Sequence, residues 1–211
     1  MADLNALSDA LIAGDSEKLQ GLVKGALDEG MDAKKILNGG LIKGMDVVGE
    51  KMQNGDMFIP EVLMSAKAMS ASVDILKPLL ASEDASAAGT VVMGTAKGDL
   101  HDIGKNLVLM MLESAGFEIV NLGTDVAPED FVAAVKEHNA DIVGISALLT
   151  TTMGMMKNTI DALVEAGYRD KVKVIIGGAP VNQKYADEIG ADGYAADAGS
   201  ASKLAKSIIA A

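Results

Sequence analysis

Apolar residues in positions 1–80 recur with the period of an α-helix. They lie three or four positions apart in four stretches, as on one face of an amphipathic helix. The stretches begin near Leu4, Leu19, Ile36 and Leu63. Gly30 and Gly55 follow the second and third stretches as stop signals, and Pro60 stands where a first-turn proline belongs. We therefore expect a bundle of four helices.

From Thr90 onward, short apolar strands alternate with amphipathic helices. The predicted strands are Thr90–Met93, Glu118–Leu122, Ile142–Leu148, Val172–Ile176 and Gly193–Ala196. The predicted helices are Asn106–Ala115, Pro128–His138, Met153–Ala166, Asn182–Ile189 and Ser200–Ile209. This alternation predicts an α/β fold with a doubly wound, five-stranded parallel sheet of the Rossmann type. The expected strand order is the flavodoxin-like 2-1-3-4-5.

The segment 81–89 between the two patterns contains no large apolar side chain. Small and charged residues of this kind are typical of a linker. We therefore predict two domains: a helical bundle with its linker at residues 1–88, and the α/β domain at residues 89–211.

A sheet of this order binds ligands in the crevice between the carboxyl ends of strands 1 and 3. The loops Gly94–Gly104 and Ala147–Thr152 lead to that crevice. The first loop is not a phosphate-binding loop, because Lys105 is not followed by Ser or Thr and the G-x-G-x-x-G pattern is missing. In the second loop, Thr151 or Thr152 is expected to cap the next helix.

The first loop carries His101, with Asp99 two residues before it. A metal-bound imidazole usually donates its second N–H to a carboxylate, and Asp99 suits that role. A lone histidine near a helix start is equally typical of an ordinary surface position, so both interpretations stay open. The chain has no cysteine, and the other histidine, His138, belongs to another predicted helix. A metal bound by His101 would therefore bring other ligands with it, as in a macrocycle.

Three motifs resemble the signature of base-off/His-on cobalamin-binding domains. They are Asp99-x-His101-x-x-Gly104, Ser146-x-Leu148 and Gly177-Gly178. The segment Gly55–Glu61 looks like the helical cap that precedes this domain in methyl-transferring members. The family includes the cobalamin module of methionine synthase and the corrinoid subunits of methanol, methylamine and O-demethylating methyltransferase systems. The resemblance covers nearly the whole chain and is strongest to the stand-alone corrinoid subunits.

The resemblance implies a role for each residue that matches the family pattern. His101 would replace dimethylbenzimidazole as the lower cobalt ligand, Asp99 would accept its N–H, and Ser146 would extend this relay. Phe58 would cover the upper face of the corrin ring. The other implied cofactor contacts are Gly98, Leu100, Asp102, Ile103, Gly104, Leu148, Thr150, Gly177, Gly178 and Ala198. The glycines among them would leave room for the displaced nucleotide tail.

The same resemblance implies that the protein carries a methyl group. Its cobalt would cycle between Co(I) and methyl-Co(III), between a donor-specific methyltransferase and an acceptor methyltransferase that uses, for example, a tetrahydrofolate. A reductive activator would restore Co(I). The chain would then be the methyl-carrying subunit of an enzyme system without a complete active site of its own. The sequence leaves the methyl donor and acceptor open.

Charge and hydropathy narrow the choice of partners. Lys and Arg number 18 against 30 Asp and Glu, a net charge of −12, so nucleic acid is not an expected partner. The apolar runs are far shorter than the roughly 20 residues that span a bilayer, and the N-terminus lacks a basic signal segment. We therefore expect a cytoplasmic protein without membrane contact.

Three other functions stay open from the sequence. A cobalamin-binding sensor or regulatory module shares the helical cap, but its DNA-binding part is usually basic, whereas this chain is acidic. The small subunit of an adenosylcobalamin mutase resembles residues 90–211 but typically lacks the cap. A flavodoxin-like binding module needs several hydroxyl side chains after the first strand, where only Thr95 occurs.

Overall fold

The chain divides into two compact units, Met1–Ser86 and Ala87–Ala211. The computed structural model describes residues 3–80 and 88–210. The predicted linker at 81–89 lies outside the described residues except for its last two positions, and the predicted domain boundary stays a prediction. Among the described helices, none combines the length and the apolar character that are needed to cross a membrane.

Residues 3–80 form a helical unit. Its helices are α1 Leu4–Ile12, α2 Ser16–Asp28, α3 Ala33–Ile36, α4 Lys43–Asn54 and α5 Ile59–Leu80. A π-helical turn at Leu37–Ile42 joins α3 to α4, so these two helices together form the third stretch that the sequence predicts. The carboxylates of Asp3, Asp15 and Asp32 accept backbone N–H groups at the starts of α1, α2 and α3. Gly55 ends α4 in the left-handed conformation, with φ at 78°.

The core of the helical unit is built from aliphatic side chains and methionine. Its most deeply buried members include Leu7, Leu11, Leu19, Val23, Ile36, Leu41, Val48, Val62, Met69 and Leu76. Two serines of α5 are also buried there. Ser65 Oγ donates to the carbonyl oxygen of Ile12 over 3.4 Å. Ser72 Oγ is buried without a hydrogen-bond partner among the described residues.

Residues 88–210 form an α/β unit. Its strands are β1 Thr90–Ala96, β2 Glu118–Val126, β3 Ile142–Ser146, β4 Lys173–Gly177 and β5 Gly193–Ala195. Its helices are α6 Ile103–Ser114, α7 Pro128–His138, α8 Met153–Glu165, α9 Gln183–Ile189 and α10 Ala198–Ile209, with a 3-10 turn at Arg169–Lys171. All neighbouring strands are parallel and the order is β2-β1-β3-β4-β5. The predicted α/β fold and its strand order are confirmed.

The chain leaves β1 and β3 in opposite directions along the sheet, which opens a crevice at their carboxyl ends. Ser146, the last residue of β3, pairs with Thr95 on one side and Gly177 on the other. The ends of three central strands therefore meet at one edge. One apolar cluster, which includes Phe131 and Leu163, covers one face of the sheet, and a second cluster, which includes Leu112, covers the other face.

Several element boundaries near this edge differ from the prediction. β1 continues past Met93 to Ala96, and β2 continues past Leu122 to Val126, because the two strands keep pairing through register shifts. β3 ends at Ser146 rather than at Leu148. These differences determine how the two crevice loops leave the sheet.

Candidate functional site

The loop between β1 and α6 holds His101 through its backbone and its ring. The ring Nδ1 lies 2.7 Å from Asp99 Oδ1, and the backbone N–H of His101 donates to the same oxygen over 3.1 Å. Thr95 Oγ1 donates to the carbonyl oxygen of His101 over 2.9 Å. The side chain of His101 is 53% exposed. With its Nδ1 proton donated to a carboxylate, the imidazole keeps the lone pair on Nε2 for a metal.

Asp99 is fully buried, and its second oxygen is fully engaged. Oδ2 accepts the backbone N–H groups of Leu148 at 2.7 Å and Leu149 at 3.1 Å, and the hydroxyl of Thr152 at 2.9 Å. Burial acts to raise the pKa of Asp99, but these hydrogen bonds and those from His101 outweigh it and hold the pKa well below its usual range. Asp99 is therefore a carboxylate that fixes the tautomer of His101.

The predicted relay through Ser146 stays a prediction, and the structure shows a different hydroxyl at Asp99. Among the described residues, the hydroxyl that donates to Asp99 belongs to Thr152, immediately before α8. Ser146 is half-buried at the end of β3, between its paired residues at the ends of β1 and β4. Thr152 does occupy the N-cap position of α8, as predicted, but its side chain makes no capping hydrogen bond. The sequence carries one signal for the contact between Thr152 and Asp99: a hydroxyl residue stands in the second crevice loop, which is expected to lie beside the first.

Both crevice loops carry exposed, large apolar side chains. Those of the first loop are close to His101 in the chain, and those of the second loop belong to the residues whose backbone amides bind Asp99. Leu100 is 73% and Ile103 77% exposed, and Leu148 and Leu149 are about half as exposed as these. Exposed apolar side chains that cluster in this way mark a binding surface. Leu149 is absent from the predicted contacts, although it adjoins Leu148.

The predicted glycines have different structural roles. Gly98 adopts φ of 84° and Gly178 φ of 126°, which favour glycine. A Cβ at Gly178 would also overlap the carbonyl oxygen of Ala147, so the loops after β3 and β4 touch only because this side chain is missing. A Cβ at Gly177 would lie 3.0 Å from Ala195 O. A Cβ at Gly104 would meet nothing within 4 Å, so the space there is open to a ligand.

The remaining predicted contacts lie in both units. Asp102 is exposed and accepts the side-chain N–H of Asn106 over 3.0 Å. Thr150 is exposed in the loop before α8, whereas Ala198 is buried at the first position of α10. Phe58 precedes α5 in the helical unit, is 68% exposed and donates its backbone N–H to Glu61 Oε2. That Phe58 covers the corrin ring stays a prediction.

A buried lysine, which the sequence did not single out, ties α6 to β2. Lys105 is 2% exposed, and its Nζ donates to Asn106 Oδ1 at 2.7 Å and to Asn121 Oδ1 at 2.8 Å. Burial lowers the pKa of Lys105, and the charge of Asp102 opposes that effect. The first turn of α6, which follows the His101 loop, is thereby fixed to the neighbouring strand.

The donor set fits a metal that brings its own equatorial ligands. Within residues 3–80 and 88–210, no group of three or more His, Cys, Asp or Glu side chains could hold a bare metal ion. The crevice loops instead offer a single imidazole, a buried carboxylate that is hydrogen-bonded to it, and exposed apolar side chains. These features suit a corrinoid, whose cobalt needs one axial nitrogen and whose ring needs an apolar contact surface.

Comparison with protein families agrees with this geometry. Residues 89–202 match a family model described as a B12 binding domain, and residues 3–77 match a second model with the same description. The matches lie in both units, the helical one and the α/β one. The chain belongs to the B12-binding family.

Similar proteins of known name extend over nearly the whole chain. The dimethylamine corrinoid protein of Methanosarcina barkeri is 46% identical over 209 residues, which are 98% of this chain and 97% of that protein. A corrinoid protein of Desulfitobacterium hafniense (strain Y51) is 45% identical over 212 residues, 99% of this chain and 98% of that protein. These relatives confirm the predicted resemblance to stand-alone corrinoid subunits.

Two solved structures share the fold. A cobalamin-binding protein from Desulfitobacterium hafniense DCB-2 has a TM-score of 0.85 and 35% identity, and the match covers 99% of both chains. The methanol:cobalamin methyltransferase complex MtaBC from Methanosarcina barkeri has a TM-score of 0.83 and 34% identity, covering 98% of this chain and 79% of that chain. Cobalamin is therefore confirmed as the cofactor.

Proposed function

We propose that this protein is a corrinoid methyl carrier. It takes a methyl group from a donor-specific methyltransferase and delivers it to an acceptor methyltransferase, and a reductive activator maintains the cofactor. Relatives that match over nearly their whole length support this proposal, because several are dimethylamine corrinoid proteins and one structural neighbour belongs to a methanol:cobalamin methyltransferase complex. A mutase small subunit is less favoured, because the helical unit matches the family as well.

The observation that carries the proposal is the Asp99–His101 pair at the mouth of the crevice. When bound, the corrinoid supplies a cobalt that takes up a methyl group in its reduced state and gives it up to an acceptor. His101 would hold the cobalt through Nε2, and Asp99 holds the imidazole ring in the required tautomer and orientation. The exposed side chains of Leu100, Ile103 and Leu148 would contact the corrin ring and exclude water from it.

The other predicted contacts belong to the same proposal. Gly104 leaves space for the cofactor beside α6, and Gly178 brings the loops after β3 and β4 together to form one wall of the site. Gly98, Asp102, Ser146, Thr150 and Gly177 lie on loops and strand ends, and Ala198 is the first residue of α10. The tetrahydrofolate-dependent acceptor, the reductive activator and the cytoplasmic location stay predictions.

The first experiment tests axial ligation. Apo-protein loaded with cobalamin and reduced to Co(II) should show nitrogen splitting in its electron paramagnetic resonance spectrum. The splitting should change when the histidines of the protein are isotopically labelled, because the ligand is then imidazole and not the dimethylbenzimidazole of the cofactor, and His101→Ala should abolish this effect of the label. His138→Ala is the matched control, because it removes the other histidine. An equal effect of the label in wild type and His101→Ala, or none in wild type, would contradict the proposal.

The second experiment tests methyl transfer itself. Dimethylamine is the first donor to test, because several relatives are named for it. With the methyltransferase that co-purifies with this chain, the loaded protein, reduced to Co(I) by an added reductant, should take up one methyl group per cobalt. With an acceptor methyltransferase added, it should pass this group to a thiol or a tetrahydrofolate. Cobalamin binding without methyl uptake from methylamines, methanol or aryl methyl ethers would favour a sensor instead.

A further inference from the structure

One residue of β2 has an unusual backbone conformation beside the His101 loop. Among the described residues, Asp125 and Asn139 are the non-glycine residues with positive φ, at 56° and 49°. Asn139 ends α7, where a left-handed residue is a common helix cap. Asp125 lies within a strand, where glycine would adopt this conformation more easily. An aspartate at such a position therefore suggests that its side chain has a structural or functional role.

Asp125 contacts three consecutive residues of the His101 loop. Its backbone N–H donates to the carbonyl oxygen of Asp99 over 3.0 Å. Its Oδ1 accepts the backbone N–H of Gly98 over 2.8 Å, and its Oδ2 lies 3.3 Å from Lys97 Nζ. A glycine at this position would keep the first contact and lose the other two.

These contacts bind a part of Asp99 that Thr152 does not bind. The carboxylate of Asp99 is bound by the loop after β3, whereas its main chain is bound by Asp125 from β2. The position of His101 in turn depends on Asp99, because both the backbone and the ring of His101 are hydrogen-bonded to it. A shift of the Asp99 main chain would therefore move the imidazole.

We propose that Asp125 is a positioning residue for His101. By binding Lys97, Gly98 and Asp99, it orders the loop before the cofactor arrives. The histidine then loses less conformational freedom when it binds the cobalt, so its bond is stronger. The proposal rests on the proposed function, since it takes His101 as the axial ligand.

Axial binding can be measured through the Co(II)/Co(I) midpoint potential, because Co(I) needs no axial ligand. Asp125→Gly removes the side chain and suits the positive φ. A tenfold weaker bond between His101 and Co(II) makes the potential about 59 mV more positive, and we expect a shift of this order. Asp125→Asn keeps a weaker acceptor for Gly98 and should shift the potential in the same direction by less.

Asn139→Gly is the matched control, because it makes the same kind of substitution at the other positive φ. Its potential should equal that of wild type. Amide hydrogen exchange in the apo-protein gives a readout without cofactor: the Gly98 N–H should exchange about tenfold faster in Asp125→Gly and at the wild-type rate in Asn139→Gly.

The outcomes separate this proposal from the proposed function. If wild type lacks the imidazole splitting, the ligand assignment itself fails. If wild type shows the splitting, and Asp125→Gly and Asp125→Asn both keep the wild-type potential, the positioning role is overturned, even if the unfolding temperature falls. If Asp125→Gly does not fold, the potential of Asp125→Asn decides: no positive shift overturns the proposal.

Discussion

Thr152 Oγ1 lies 2.9 Å from Asp99 Oδ2, and this contact joins the loop after β3 to the loop that carries His101. The two residues are 5% and 0% exposed. A carboxylate that is buried in this way needs donors to replace its water, and Thr152 supplies one beside two backbone amides. The hydroxyl therefore helps to hold the carboxylate that is hydrogen-bonded to His101.

Replacing this hydroxyl with a methyl group should destabilise the apo-protein and weaken cobalamin binding. Thr152→Val keeps the shape and removes a hydrogen bond to a charged group, which is typically worth about 1.5–3 kcal/mol. Urea unfolding of the apo-protein measures the loss of stability, and cobalamin titration measures the binding. Thr152→Ser should restore most of both.

Thr159 offers a matched control for this prediction in the same helix. It is 1% exposed, and its hydroxyl donates to Met155 O over 2.9 Å, within α8. Thr159→Val should therefore reduce the stability by less than Thr152→Val and leave cobalamin binding unchanged. Equal losses of stability and binding in the two variants would show that Thr152 matters only for packing.

The site shows which contacts a sequence can reveal. The Asp99–His101 pair could be predicted because its members are two residues apart and share one loop. The Thr152 contact spans 53 residues and depends on how the chain turns after Ser146. The apolar pattern predicts that β3 continues to Leu148, whereas the amides there turn inward to bind the carboxylate of Asp99.

The end of β2 and the burial of Lys105 could not be predicted from the sequence, for a related reason. The apolar period ends at Leu122, yet β2 continues to Val126, because backbone pairing with β1 does not require apolar side chains. Lys105 looks like a surface residue by its charge, but the amide oxygens of Asn106 and Asn121 compensate its burial. The parallel sheet, in contrast, follows from the alternation of elements alone.

The contribution of Asp99 to the stability of the apo-protein should decrease as the pH falls below about 5. The pKa of Asp99 is held below its ordinary value of 3.8 by its hydrogen bonds. A depressed carboxyl pKa stabilises the folded state above the unfolded pKa, and this stabilisation is lost as the pH falls toward the folded pKa. The advantage of wild type over Asp99→Asn in unfolding temperature should therefore be constant above about pH 5 and shrink below about pH 4.

Asp161 provides the control for this pH series. Its carboxylate forms an exposed ion pair with Lys157 on α8, and such pairs contribute little to stability. Asp161→Asn should therefore differ little from wild type at every pH. If the difference in unfolding temperature between wild type and Asp99→Asn stays constant from about pH 3 to about pH 7, the stabilising role of the hydrogen bonds of Asp99 is contradicted.

Ser72→Ala should leave the stability of the protein unchanged or raise it. Its buried hydroxyl has no partner among the described residues, so alanine removes the desolvation penalty of the hydroxyl and loses no hydrogen bond. The expected gain is up to about 1 kcal/mol. Ser65→Ala in the same helix should not give this gain, because its hydroxyl bonds to Ile12 O. Urea unfolding of both variants tests the difference, and a clear loss for Ser72→Ala would contradict it.

Two glycines of the site should respond to alanine in opposite ways. Gly104 lies in the first turn of α6 with nothing within 4 Å of an added Cβ, so Gly104→Ala should raise the stability of the apo-protein by about 0.5–1 kcal/mol. Gly178→Ala should lower it by more than about 1 kcal/mol, because the φ of 126° and the carbonyl of Ala147 both oppose a side chain.

Cobalamin affinity separates the functional glycine from an ordinary helical one. Gly21, in α2, likewise has open space around an added Cβ, so Gly21→Ala should stabilise the protein and leave cobalamin binding unchanged. Gly104→Ala should stabilise the apo-protein and still bind cobalamin more weakly, because we propose that the cofactor occupies the open space at Gly104. Thermal unfolding of the apo-proteins and cobalamin titrations measure the two effects. Unchanged affinity in Gly104→Ala would place the cofactor away from the start of α6.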